Sequence, residues 1–71
     1  MSKTIDEIIV EVMREYTLAR RDALQGVETA VEVIAAEAWR RHDKQEYKIV
    51  DHTPERAEEL TREHISDLQT Q

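Results

Sequence analysis

The side chains able to do chemistry in this chain are few and scattered. Three histidines each stand beside a carboxylate, in His42-Asp43, Asp51-His52 and Glu63-His64. An imidazole next to a carboxylate can form an acid–base pair or part of a metal site. Zinc-binding helices place two ligands at i and i+4, so that both point from one face, as in His-Glu-x-x-His. Glu63-His64 has no second histidine at that spacing, and the 71 residues contain no cysteine. The expectation is that no metal is bound, that His42 and His52 are solvated connector residues, and that His64 is half-buried at the edge of a helix stripe.

Carboxylates at helical spacing raise a second chemistry. All-helical nucleotide hydrolases hold magnesium between Glu-x-x-Glu on one helix and Glu-x-x-Asp on another, with the substrate phosphates completing the shell. Glu55-x-x-Glu58 supplies the first half. The second half is missing, because Glu63 and Asp67 are four apart. The basic doublets Arg20-Arg21 and Arg40-Arg41 would lie on opposite sides of a single helix, so one monomer does not gather them into a patch. There is no Ser-His-Asp set, phosphate-cradling glycine loop or nucleic-acid motif. The residues therefore predict no catalytic, cofactor-binding or metal-binding position.

Charge narrows the partners. Sixteen acids against ten bases give a net charge of −6, a poor match to a polyanion, which calls for a basic face. Direct nucleic-acid binding is not expected, and a basic protein surface is the better electrostatic match. No apolar run reaches the roughly 20 residues of a membrane span, and the start of the chain lacks the apolar block of a signal peptide. With cysteine absent, a soluble cytoplasmic protein is expected.

The elements that would position these residues are helices. From Ile5 to Ala38 the apolar residues recur in steps of three and four, the spacing of one helix face. Ile5, Tyr16, Val27 and Ala38 form one row at eleven-residue spacing, Ile8, Ala19 and Ala30 a second, and Val12, Ala23 and Ile34 a third. Eleven residues in three turns is close to straight α-helical geometry. Thr4-Ile5-Asp6-Glu7 reads as a capping box at its start, and Glu7–Glu11–Arg14 and Glu37–Arg41 offer opposite charges at helical spacing on its solvated face. The unbroken phase predicts one long helix over about residues 4–44, roughly 60 Å long. The alternative is a hairpin broken at Gly26, the only glycine, in a left-handed conformation, with Thr29-Ala30-Val31-Glu32 capping the second arm.

Residues 45–53 read as a linker that lays Tyr47, Ile49 or Val50 on the bundle. Thr53-Pro54-Glu55 then opens a second helix over about 54–68, with Thr53 at the N-cap and Pro54 in the first turn. Its docking residues are Leu60, Ile65 and Leu68. Residues 69–71 are expected to be a disordered tail.

Seven of the apolar residues are alanine and none is phenylalanine, so one chain buries little apolar area against its ordering entropy. An all-α homo-oligomeric bundle, most simply a homodimer, is the expected remedy. Its interface would use Ile5, Ile9, Val12, Tyr16, Val27, Ala30, Val31, Ile34, Ala38 and Trp39. Trp39 reads as a core cap in preference to a ligand anchor. The function expected of such a chain is a small, acidic, non-enzymatic interaction or regulatory module that binds itself and another protein. An acidic mimic of nucleic acid that blocks a DNA- or RNA-binding protein is the second reading, and a metal-dependent nucleotide hydrolase the third.

Overall fold

The computed structural model describes residues 3–16, 26–44 and 53–69. They form three helices, α1 (Ile5–Glu15), α2 (Val27–Asp43) and α3 (Pro54–Gln69), and no strand. The fold is all-α, as the periodicity predicts.

α1 starts where the capping box places it. Thr4 has extended geometry, with φ −74° and ψ 162°, and its hydroxyl accepts from the Glu7 amide at 3.2 Å. The Glu7 carboxylate in turn accepts from the Thr4 amide at 2.9 Å. Two of the donors that a helix start leaves open are thereby satisfied. α3 opens in a similar way: the Thr53 hydroxyl accepts from the Arg56 amide at 3.2 Å, and Pro54 gives up no bond because its position needs no donor.

The long helix over 4–44 is not what forms. α1 ends at Glu15, and Tyr16 caps it with its amide reaching back to the Val12 carbonyl at 3.0 Å. The Glu15 carboxylate accepts two hydrogen bonds from the Arg41 guanidinium, at 2.7 and 3.0 Å, across 26 residues of sequence. In one straight helix those residues would be about 39 Å apart. The physical reason is burial. A lone 40-residue helix leaves its stripe in water, whereas folding α1 onto the rest of the chain removes that stripe from water at about 25 cal/mol per Å². In-phase rows are compatible with either outcome, because each segment keeps its own apolar face.

The hairpin alternative also needs correction. Gly26 has φ −107° and ψ 57°, outside the left-handed region, and it precedes α2 as its N-cap without a side-chain hydrogen bond. Thr29 to Glu32 lie inside α2. The last turn of α1 meets the last turns of α2, not its first turn. Residues 17–25, which include Ala19, Ala23 and Arg20-Arg21, lie outside the described residues, as do the linker residues Tyr47, Ile49 and Val50. Gln69, expected in the tail, is the last residue of α3.

The core joins all three helices. Ile5, Ile8, Ile9, Val12 and Met13 enter from α1, Val31, Ile34, Ala35 and Ala38 from α2, and Ala57 and Ile65 from α3. Val27, Ala30, Trp39, Leu60 and Leu68 are partly buried against it. Thus Ile5, Ile9, Val12, Val31, Ile34 and Ala38 of the expected oligomer seam are buried within one chain, and Tyr16 is 48% exposed. Small residues carry the approach of α3: Ala57 and Thr61 are both fully buried, one turn apart. The Thr61 hydroxyl donates to the Ala57 carbonyl at 2.7 Å, so burying it leaves no orphan polar group. Among the described residues no helix is long and apolar enough to cross a membrane.

Candidate functional site

Polar side chains tie the three helices together at fixed points. Arg41 is the hub. Its Nε donates to Glu37 at 2.7 Å, one turn back on α2, and its two terminal nitrogens reach Glu15, with Glu11 at the margin at 3.5 Å. Arg40 also pairs with Glu37. Hydrogen bonding to Arg41 holds the Glu15 carboxyl below its ordinary range, and Arg40 followed by Arg41 does the same for Glu37. The same two carboxylates push Arg41 upward. Glu15 and Arg40 are exposed and Glu37 and Arg41 only part-buried, so the network sets register more than it adds stability. The spacing Glu37–Arg41 forecast this pair. Its second half, across to α1, could not be read from helical spacing.

The expected group Glu7–Glu11–Arg14 does not form as such. Glu7 is used in the cap, and Glu11 pairs with Lys3 and faces Arg41. Arg14 makes no ion pair with any described residue.

The histidines part ways. His64 is half-buried as expected, and its Nε2 lies 2.5 Å from the Asp6 carboxylate, joining α3 to the start of α1. His42 differs from expectation. It is in the last turn of α2, only 5% exposed, with its ring stacked on Trp39 at a centroid distance of 5.8 Å and 19° between planes. Trp39 packs on the core cluster, so the pair closes that end of the bundle. His52 lies outside the described residues. No group of three or more His, Asp or Glu close enough to hold a metal occurs among the described residues.

The acidic residues of α3 do not make an uninterrupted row. Arg56 lies between Glu55 and Glu58 and pairs with Glu59 at 3.1 Å, while Arg62 reaches across to Glu28 on α2 at 3.4 Å. Glu28 holds the Arg62 guanidinium above its ordinary range. A mimic of nucleic acid requires carboxylates spaced like phosphates along one face, and here cations alternate with them.

One cleft, of about 300 Å³, lies between α1 and α3. Val10, Met13 and Arg14 line it from α1, and His64, Asp67 and Leu68 from α3. Its floor is apolar: Met13 is buried, and Val10 and Leu68 are half-buried. Its rims are charged and exposed, with Arg14 on one helix and Asp67 on the other. Leu68 was expected to dock α3 and does lie against the core. Val10 and Arg14 were missed. Val10 sits one position off the core row, and its apolar character there was the available signal. Comparison with protein-family models, curated proteins and solved structures finds no match to this chain.

Proposed function

We propose that this chain is a small, acidic, non-enzymatic interaction module that docks a protein partner in the cleft between α1 and α3. The supporting observation is the cleft itself. An apolar floor of Val10, Met13 and Leu68, bordered by one cation and one anion, is the arrangement that binds an apolar side chain and orients the segment carrying it. The metal reading lacks a comparable constellation among the described residues.

The test uses the full chain as bait in an extract of its native host, beside two variants. Val10→Glu places a carboxylate on the floor of the cleft. Glu32→Gln changes an exposed residue of α2 away from it. Proteins that bind through the cleft are retained by the wild type and by Glu32→Gln and lost by Val10→Glu, with helical circular dichroism unchanged. Equal retention by all three refutes the reading.

A further inference from the structure

We infer that the cleft between α1 and α3 is filled by a second copy of this chain, related by a two-fold axis through its floor. The inference rests on reading the cleft as a docking surface and names its occupant.

The argument is self-complementarity. A two-fold dimer uses the same patch on both subunits, so a residue on one edge must suit the residue it meets from the opposite edge. In this cleft α1 carries Arg14 and α3 carries Asp67, on either side of one apolar floor. Rotation about an axis through the floor lays α1 of one copy over α3 of the other. Arg14 then faces Asp67 of the partner copy, and the pairing occurs twice. Val10 and Leu68, half-buried in the single chain, meet their counterparts between those two pairs.

The charge inventory favours this use of Arg14. Lys3, Arg40, Arg41, Arg56 and Arg62 all pair with glutamates of their own chain. Arg14 has no such pair among the described residues, although it borders an apolar floor. Two chains of net charge −6 repel each other in general, so association needs a local exception, and opposite rims across one cleft supply it. Ile5, Ile8, Val12, Ile34 and Ala38 of the apolar rows are buried within the chain, so the contact lies on a different face from those residues.

Charge exchange tests the geometry. Arg14→Glu sets carboxylate against carboxylate twice in the dimer, and Asp67→Arg sets guanidinium against guanidinium twice. Each variant alone should self-associate at least roughly tenfold more weakly than wild type in analytical ultracentrifugation. An equimolar mixture of the two should recover association, because both pairs are then restored in inverted order and in the native order. Circular dichroism monitors the fold. Should a reversal unfold the chain, the neutral variants Arg14→Gln and Asp67→Asn replace it, with weaker association still expected. A wild type that stays monomeric at all concentrations, single variants that associate like wild type, or a mixture that fails to recover would each overturn the inference. A monomeric wild type whose partner protein is still lost on Val10→Glu would leave the docking surface standing and assign it to a different chain.

Discussion

Ile34 and Val33 are neighbours in sequence with opposite fates, and truncating each to alanine probes the packing of α2. Ile34 is fully buried, whereas Val33 is 38% exposed. Ile34→Ala removes three carbons from the junction of the three helices. At about 0.8 kcal/mol per buried methylene, transfer alone costs about 2.4 kcal/mol, and the cavity raises the range for such changes to about 2–5 kcal/mol. A 71-residue chain has a total stability of about 4–10 kcal/mol at ordinary values per residue. One substitution should therefore lower the melting temperature by at least about 10 °C. Val33→Ala gives up a partly exposed side chain and gains helix propensity, so its effect should stay within about 0.5 kcal/mol of zero. Thermal and urea denaturation followed by circular dichroism, at low and high protein concentration, provide the measurement. The difference between Ile34→Ala and wild type should be the same at both concentrations, because the cavity opens inside one chain. Equal costs at the two positions would mean that α2 does not present the described face. A penalty for Ile34→Ala that changes with concentration would mean that this core is shared between chains.

Two further perturbations bear on the termini and the charge network of the bundle. Gly26 caps α2 without a side-chain hydrogen bond, and a Cβ there would meet nothing within 4 Å, so Gly26→Asp should stabilise by about 0.5–1 kcal/mol in thermal melts; a loss of stability would contradict the N-cap assignment. Glu15 and Glu37 have lowered folded-state pKa values, so their contribution is present above the unfolded carboxylate pKa and is lost as pH falls through the folded values. Arg41→Met should make the decline in stability toward acid shallower, as read from melting temperatures across the acid range at low salt. An unchanged acid profile would show that these pairs contribute nothing measurable.

Much of the local structure was determined by the sequence alone. Thr4 with Glu7, and Thr53 with Pro54, set the starts of α1 and α3, because a cap is completed by residues three apart. The three- and four-residue steps determined which faces are apolar, and the described residues of that stripe, Tyr16 excepted, line the core or pack against it. Glu37–Arg41 was legible for the same reason, since neighbours one turn apart must meet on a helix. Tertiary structure decided everything that depends on where a helix stops and what it then touches. No proline or polar loop marks the end of α1, and the stripe keeps its phase past Tyr16, so local signals favoured continuation. What ends α1 is the burial gained when its apolar face meets α2 and α3. That choice brings Glu15 to Arg41 and Asp6 to His64, pairs separated by 26 and 58 residues. It buries His42 against Trp39 and sets Val10 and Arg14 opposite Asp67 and Leu68. A cleft between two helices belongs to neither sequence segment. It exists only once their packing brings the two edges together, which is why the candidate site was the part of this protein that the sequence left open.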